Sequence, residues 1–473
     1  MIFPKQSFEK KMNVKIATSG IMDNAIELWR RMYQNCPPWL GGEEHVKSLN
    51  LPAAIAEEMS RLVMTEFHFE VTGSPRADYI NEQMNHFLDN MHNTVEMWAA
   101  LGGIIVKPYA VESGQNSNKL DQIDLDVVMA NRFYPTTFNS NKEITGAVFI
   151  ESKRIGDYLY TRLEHHKLEG TTYTVINKAF KSERINTLTT EDDQLSVEHP
   201  FQEEVSLETV DDWKGLQPEV TLQGIDRPLF VYVKIPRANN VDPHSPLGAS
   251  VYSRVVTQIE EADRQFSRIL WEYEASEAAV DADATLFDTD KHGHPVLPRG
   301  KERLYRSYNF EGSENGGFLK EYAPQIRDSS LFNGLNELMR KIEFQCGLAY
   351  GTLSDPNETA KTATEIKTSK QRSYTTVSAM QTVWTAALED VVHIMDMYCT
   401  LYNMAPAGES DVCCTWGDGV LEDVDMEYQR RWAMVVAGKY KLEKFYAWYF
   451  GCTEDEAKEL IPDASPSLYP PIE

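Results

Sequence analysis

The sequence predicts an α+β fold in which long helices carry a small inserted β-rich module. Two segments, residues 250–276 and 362–401, are apolar at every third or fourth position over spans much longer than an average globular helix. Residues 144–184 change to a period of two, which is typical of strands. Residues 280–326 are rich in glycine, proline and short alternating runs, and they lie between two helical patterns.

The first hundred residues predict three helices followed by a strand. The helical patterns cover residues 24–33, 51–64 and 79–100. Cys36-Pro-Pro-Trp39 ends the first, Pro52 occupies the first turn of the second, and Gly102-Gly103 ends the third. The apolar run from Ile104 to Tyr109 then predicts a buried strand that leaves this glycine turn.

The middle of the chain predicts an antiparallel meander. Three strand-like runs cover residues 147–151, 157–163 and 172–177. Gly156 and Gly170 separate them at turn positions. Residues 191–212 are acidic and weakly patterned, which predicts a surface loop, and residues 229–235 predict a further strand closed by Pro236.

The second half predicts a β module held between two helices. The helix over 250–276 would be roughly 40 Å long at about 1.5 Å per residue. The module contains alternating runs at 285–288, 303–308 and 318–322, and helix resumes over 330–346. Two helices in this order can lie side by side, with the module at their far end.

The last part predicts a loop, a very long helix and a helical tail. Residues 351–361 form the loop, and Thr362-Ala-Thr-Glu365 is a capping box that begins the helix running to about Leu401. A further helix is predicted over 427–449, and a second capping box at 453–456. The proline-rich end, 465–473, is predicted to be disordered.

Composition limits the class of protein. The 473 residues allow a sizeable core, and a net charge of −26 opposes tight, sequence-independent DNA binding, although it suits a smooth conduit for DNA. The sequence has neither an 18-residue apolar run nor a secretory signal, so we expect a location in the cytoplasm and no membrane partner. The six cysteines form no CxxC pair and are expected to be free thiols.

The known catalytic motifs are missing from the sequence. It contains no GxxxxGK[ST], GxSxG or HExxH, so we predict no enzymatic activity, no catalytic residue, no cofactor and no metal. His292 and His294 occur in a glycine- and proline-rich turn, which favours an ordinary surface turn over a metal pair. His165 and His166 are adjacent in a strand pattern, where their side chains point to opposite faces.

Two basic islands interrupt this acidic chain. The first comprises Lys361, Lys367, Lys370 and Arg372, and the second comprises Arg299, Lys301, Arg303 and Arg306. Each is either ordinary surface charge or a contact for a polyanion or an acidic protein partner.

Several stretches resemble the portal proteins of tailed bacteriophages, most closely the type found in siphophages of Gram-positive hosts. Ser245-Pro-Leu-Gly-Ala-Ser-Val-Tyr252, leading into Ile259-Glu-Glu-Ala-Asp263, resembles the beginning of that family's first stem helix. Lys361-Thr-Ala-Thr-Glu-Ile366 resembles the segment after its tunnel loop. Leu49-Asn-Leu-Pro-Ala-Ala-Ile-Ala-Glu-Glu-Met59, Ala100-Leu-Gly-Gly103 and Ala130-Asn-Arg-Phe-Tyr-Pro-Thr136 are similar to the same group.

The resemblance implies a portal fold made of a mixed α/β wing, long stem helices, a clip, a tunnel loop and a helical crown. The implied bounds are: wing 1–249, stem helix 250–279, clip 280–327, stem helix 328–347, tunnel loop 348–361, long wing helix 362–403, and crown with C-terminal tail 404–473.

The resemblance also implies the location and the partners. A homo-oligomeric ring of twelve copies would be made in the host bacterial cytoplasm and lie at the capsid portal vertex of the virion. Double-stranded DNA would pass through it during packaging and ejection. The protein partners would be the terminase large subunit, a head-completion or adaptor protein, and the major capsid and scaffolding proteins.

The implied site residues form two groups. The tunnel-loop group that faces DNA would contain Ser354, Asp355, Asn357, Glu358, Lys361 and Lys367. The clip group that docks partners would contain His292, His294, Arg299, Lys301, Arg303 and Arg306. The alternatives are another head–tail connector or baseplate structural protein, or a metal-dependent hydrolase or nuclease that uses an acidic site or His292 and His294.

Overall fold

The structure is a computed structural model with mixed α and β content. It describes residues 5–42, 46–112, 120–183, 201–292, 294–298, 304–308, 319–355, 363–417, 424–450 and 457–458. The predicted α+β class is confirmed. Within the described residues, no helix is both long enough and apolar enough to cross a bilayer.

The N-terminal part is a group of helices with one short strand. These elements are α1 Lys5–Met12, α2 Gly20–Tyr33, α3 Leu51–Val63, β1 His68–Thr72, α4 Pro75–Asp89 and α5 Met91–Leu101. Helix α2 begins four residues before the predicted start because the hydroxyl of Ser19 accepts the amide N–H of Met22 and caps it.

The single helix predicted over 79–100 is wrong, because α4 and α5 are separate helices that meet at Asn90. The Asn90 amide N–H bonds to the carbonyl of Phe87, three residues back, and its side-chain amide donates to the carbonyl of His86. These bonds complete the last turn of α4, and the chain then begins α5 as a separate helix. Both helices still bury their apolar faces, so periodicity alone did not reveal the break.

Two antiparallel sheets follow. The strands are β2 Gly103–Glu112, β3 Leu120–Met129, β4 Phe133–Phe138, β5 Ile144–Ile155, β6 Tyr158–Glu169, β7 Thr172–Glu183, β8 Glu203–Val205, β9 Glu219–Gln223 and β10 Val231–Lys234. One sheet has the order β10-β2-β3, and the other has the order β4-β5-β6-β7-β8, with β9 also paired to β7. The predicted meander is confirmed as β5 to β7, and Gly156 and Gly170 adopt positive φ at its two turns.

The surface loop predicted over 191–212 is wrong for its described part. Residues 201–213 form β8 and two short 3-10 turns. Leu207, Val210 and Trp213 lie at three-residue spacing and pack on Tyr160 and Ala179 at the back of the sheet. Because acidic residues lie between these three apolar residues, their regular spacing was not recognised in the sequence.

The helix–module–helix arrangement is present. Its elements are α6 Val256–Ala275, β11 Ala279–Asp283, β12 Asp288–Thr289, β13 Pro295–Val296, β14 Tyr305–Tyr308, β15 Leu319–Tyr322 and α7 Asp328–Cys346. In the module, β11 pairs parallel with β14 and antiparallel with β15, and β12 and β13 form a hairpin.

Helix α6 is shorter than predicted. The chain makes a turn at Ser250–Ser253, and the Ser250 hydroxyl accepts the N–H of Tyr252. The apolar residues Val251, Tyr252 and Val255 are therefore buried in turns rather than in helix. The 20 residues of α6 span roughly 30 Å rather than 40 Å.

The C-terminal part consists of α8 Ala363–Tyr402, β16 Asp411–Thr415, α9 Val424–Val436 and α10 Leu442–Phe450. The 40-residue length of α8 confirms the predicted long helix, and β16 pairs with β1. The helix predicted over 427–449 is wrong because Gly438, at φ +67°, ends α9. Thr362 of the first capping box, the second capping box and the proline-rich end lie outside the described residues.

Helix α8 is the centre of the largest core cluster. Trp384 is fully buried, and its ring meets Trp98 of α5 edge to face at 5.4 Å. The indole N–H of Trp98 donates to the carbonyl of Val233 in β10. One helix therefore ties together the N-terminal helices and the β10-β2-β3 sheet.

Candidate functional site

Helices α6 and α7 lie side by side, with the β module at one end and a loop at the other. Arg327, just before α7, donates to Glu272 near the end of α6 at 2.8 Å. The hydrogen bond from Arg327 lowers the pKa of Glu272. Further along, Gln265 Nε2 donates to the carbonyl of Leu331 at 3.4 Å. The two helices are therefore antiparallel, and the contact between Arg327 and Glu272 holds them together where the module begins.

The loop after α7 has a fixed root. Gly347 adopts φ +85°, and a Cβ at this position would lie 2.6 Å from Thr376 Oγ1 of α8. Glycine is therefore required for α7 to end here and for the chain to pass close to α8.

The carboxylate of Glu343 organises the next turn. This side chain of α7 is fully buried and accepts four hydrogen-bond donors. They are the amide N–H groups of Gly351 at 3.2 Å, Leu353 at 2.6 Å and Ser354 at 2.8 Å, and the Ser354 hydroxyl at 2.9 Å. A buried carboxylate needs such donors because burial removes its water. Sequence reasoning missed Glu343, because a single glutamate on a helix carries no motif.

Two of the six tunnel-loop residues, Ser354 and Asp355, are described in full. Ser354 is 5% exposed and turned toward Glu343, whereas the side chain of Asp355 is exposed. The carboxamide of Asn336 in α7 holds the Asp355 backbone, accepting its N–H at 2.8 Å and donating to its carbonyl at 3.3 Å. Asn357, Glu358 and Lys361 lie outside the described residues, and Lys367 lies in the first turns of α8 without a described side chain.

Arg372 of the first basic island lies beside this loop. Its guanidinium is 3.9 Å from the ring centre of Phe344 and 5.9 Å from that of Tyr350. Phe344 and Tyr350 are 50% and 41% exposed. The cation thus lies close to two exposed rings, and stacking on the nearer ring favours arginine over lysine.

Arg237 joins the turn before α6 to the end of α7. Its two terminal nitrogens donate to the carbonyls of Val251 and Gln345, both at 2.6 Å. Burial lowers the pKa of this arginine. This role could not be predicted from the sequence, because Arg237 lies in an irregular segment outside both helices.

The clip group is only partly described. The amide N–H groups of His292 and His294 both donate to Asp290 Oδ1 at 2.8 Å, and both imidazoles are exposed. The Arg306 guanidinium lies 4.7 Å from the ring centre of Tyr322. Arg299, Lys301 and Arg303 lie outside the described residues. Across the described part of the chain, no group of three His, Cys, Asp or Glu side chains is arranged to hold a metal ion.

The two adjacent histidines of β6 have different partners. His166 is buried and lies 2.6 Å from the Tyr173 hydroxyl and 2.7 Å from Glu164 Oε1. His165 Nε2 lies 3.3 Å from Thr136 Oγ1. Burial, together with the neighbouring His166 and Lys167, lowers the pKa of His165 to about 4. The two rings share no common ligand position.

Comparison with known families gives one match. The chain matches the family described as "Phage portal protein, SPP1 Gp6-like" over residues 49–463. This range includes α6, the β module, α7, the loop at Glu343 and α8. No curated protein matches the chain.

Proposed function

The chain belongs to the SPP1 Gp6-like family of phage portal proteins, and on that premise we propose that copies of it form a ring of twelve at one capsid vertex. Double-stranded DNA would pass through the central channel during packaging and ejection. The phage would be a siphophage of a Gram-positive host, and the ring would be made in the cytoplasm of that host. The arrangement of α6, the β module and α7 above a loop rooted on Glu343 is the observation that most supports this proposal.

The parts of the portal would follow the order of the chain. The proposed bounds are: wing 1–249, stem helices 250–279 and 328–347, clip 280–327, tunnel loop 348–361, long wing helix 362–403, and crown with tail 404–473. The antiparallel clamp between Glu272 and Arg327 supports this division, because it keeps α6 and α7 together where the module leaves them.

The tunnel loop would combine a rigid root with a tip that meets DNA. Glu343 and Asn336 hold residues 351–355 by at least six hydrogen bonds, so the loop leaves α7 in a defined direction. Asp355, Asn357 and Glu358 would face the duplex, while Ser354 would act at the root. Lys361 and Lys367 would supply positive charge near the phosphates in a channel built from a chain of net charge −26.

The clip would dock the terminase large subunit first and a head-completion or adaptor protein later. The proposed contacts are His292, His294, Arg299, Lys301, Arg303 and Arg306. Exposed apolar side chains in the same module support this role, among them Leu286 at 51%, Val296 at 50% and Leu319 at 64% exposure. The wing would contact the major capsid and scaffolding proteins.

Deleting Asp355 to Glu358 tests the role of the loop. The deletion removes the tip and leaves Gly351, Leu353 and Ser354 on Glu343, so rings should still form. DNA packaging or retention should be impaired, as measured by complementation of a portal-deficient phage and by the DNA content of its particles. Rings that package and retain DNA normally would show that this loop does not act on DNA.

A further inference from the structure

The wing half of the molecule contains a polar cleft that the portal function does not use. It has a volume of about 490 Å³ and lies between α2, the end of α5 and strands β2, β3, β5 and β6. Seven charged side chains line it: Arg30, Lys107, Asp126, Arg132, Glu151, Arg162 and Glu164. A cleft of this size is within the range of ligand-binding pockets.

Most of these charges have partners inside the cleft or at its edge. Lys107 Nζ lies 2.8 Å from Glu164, and Arg162 Nη2 lies 2.9 Å from Glu151. Burial would raise the pKa of Glu164, but Lys107, His166 and Arg162 together hold it well below its usual range. Glu164 is therefore an ionised carboxylate that neutralises the cations around it.

Arg30 is also neutralised. Its guanidinium donates to both oxygens of Glu27 and to the Gln34 side chain.

Arg132 differs from the other cations of the cleft in its partners. It follows β3, and its backbone is fixed, because its N–H donates to the carbonyl of Met129 and its carbonyl accepts the N–H of Ile150. No carboxylate in the described part of the chain forms an ion pair with its guanidinium. Burial lowers the pKa of Arg132, and the nearby Arg30 lowers it further. A half-buried cation without a counter-charge is costly to keep.

Asn131, the residue before Arg132, also has a buried polar atom. Asn131 also lines the cleft, and its carboxamide oxygen is buried and has no hydrogen-bond partner among the described residues. A carboxamide can turn over and present either its oxygen or its N–H groups. Asn131 and Arg132 can thus offer several N–H donors side by side.

We propose that this cleft binds a carboxylate, held by the guanidinium of Arg132 and the carboxamide of Asn131. The fork of an arginine pairs with the two oxygens of a carboxylate. A polyanion such as duplex DNA is disfavoured, because Asp126, Glu151 and Glu164 line the same cleft. The carboxylate could come from a free small molecule or from an acidic side chain of a second copy of this chain. The second source rests on the proposed ring.

The test compares Arg132→Gln with a matched control, Arg154→Gln. Arg154 is an exposed arginine of β5 outside the cleft. The full-length chain is titrated by calorimetry with acetyl-Gly-Glu-Gly-amide, and with acetyl-Gly-Gln-Gly-amide as the uncharged reference. We expect only the glutamate peptide to bind. Arg132→Gln should weaken binding at least about tenfold, as expected for loss of a charge-assisted hydrogen bond, and Arg154→Gln should not. Without peptide, Arg132→Gln should unfold at the same temperature as the wild type or higher.

Assembly measurements separate the two sources. Peptide binding to wild-type rings supports a free carboxylate. Rings that do not bind peptide, but that dissociate at about tenfold higher protein concentration when they carry Arg132→Gln than when they carry Arg154→Gln, support an acidic side chain of the next copy. Absence of both effects overturns the proposal. Intact rings with no Arg132 effect would leave the portal function standing.

Discussion

At the residue scale, the Glu343 carboxylate decides how the chain leaves α7. Replacing Glu343 with Gln removes the charge and turns one acceptor into a donor that faces the N–H groups of Gly351, Leu353 and Ser354. Hydrogen bonds to charged groups contribute about 1.5–3 kcal/mol each, and the loss of one acceptor leaves buried donors unpaired. We therefore expect the free energy of unfolding to fall by at least about 2 kcal/mol, measured by urea denaturation.

The control for this change is Glu337→Gln on the same helix. Glu337 is 63% exposed and pairs with Arg340, three residues away. Exposed pairs of this kind contribute less than about 1 kcal/mol. Equal losses of stability in the two variants would contradict the role given to Glu343.

His165 predicts a pH dependence of stability. Its folded pKa, about 4, lies below the ordinary value of 6.5, so between these values the unfolded chain binds a proton that the folded chain does not. Stability from this group is complete above about pH 6.5 and is lost as the pH falls toward 4. The stability difference between wild type and His165→Gln should therefore shift by about 2 kcal/mol against the wild type between pH 7.5 and pH 4.5.

The measurement is urea unfolding of both proteins at the two pH values, with His68→Gln as the reference. His68 is exposed on β1. An equal shift with pH in His68→Gln would mean that the burial of His165 is not its cause. A difference between wild type and His165→Gln that does not change with pH would contradict the lowered pKa of His165.

Residue types and motifs predicted little of the candidate site. Ser354 and Asp355 were predicted from the resemblance, but their positions depend on Glu343 and Asn336, which carry no recognisable pattern. Arg237 matters because it donates to two backbone carbonyls that lie more than a dozen residues away in the sequence. Arg132 matters because no carboxylate in the described part of the chain pairs with it. Such roles arise only when distant segments of the chain pack together.

At the element scale, α8 supports the N-terminal helices and the β10-β2-β3 sheet through Trp384. Its truncation to alanine would leave a large cavity against Trp98, at a cost of about 3–5 kcal/mol in unfolding free energy. Within the part of the chain that the structure describes, the buried indole N–H of Trp384 has no hydrogen-bond partner, so Trp384→Phe loses volume but no hydrogen bond. We expect phenylalanine to cost less than half as much as alanine, measured by thermal and urea unfolding. Equal costs would mean that the indole N–H has a partner in solution.

The β module predicts a docking effect for Arg306. Arg306→Glu reverses a charge that stacks on Tyr322, so binding of the terminase large subunit or the head-completion protein of the same phage should weaken about tenfold or more, measured by calorimetry. Lys341→Glu, an exposed site on α7, makes the same change of charge away from the module. Unchanged binding by Arg306→Glu, or the same loss with Lys341→Glu, would remove Arg306 from the docking surface.

The elements were predicted better than their ends. The meander, α7 and α8 follow directly from apolar spacing and punctuation by glycine. The helix breaks at Asn90 and Gly438 were missed. On both sides of each break the apolar residues recur at helical spacing, so the pattern predicts one continuous helix. Strand β1 and its partner β16 were missed because they lie more than 330 residues apart, and neither has enough alternation to stand out.

At the scale of the whole molecule, physical reasoning and family membership answer different questions. The order of α6, the β module, α7 and α8 was predictable from periodicity alone. That this order serves a portal follows from the family match over residues 49–463. A single copy leaves many large apolar side chains exposed, including Trp271 at 63% and Phe332 at 46% on the α6–α7 pair. Such exposure is expected of a subunit whose surface is covered by other subunits in an assembly.

The central claim is that copies of this chain close into a ring, and negative-stain images of the purified full-length protein test it most directly. We predict ring-shaped particles with a central hole and twelve countable subunits. Light scattering on the same sample should give a mass that is a fixed multiple of the 54.0 kDa chain. A monomer at all protein and salt concentrations, with no rings in the images, would contradict the claim.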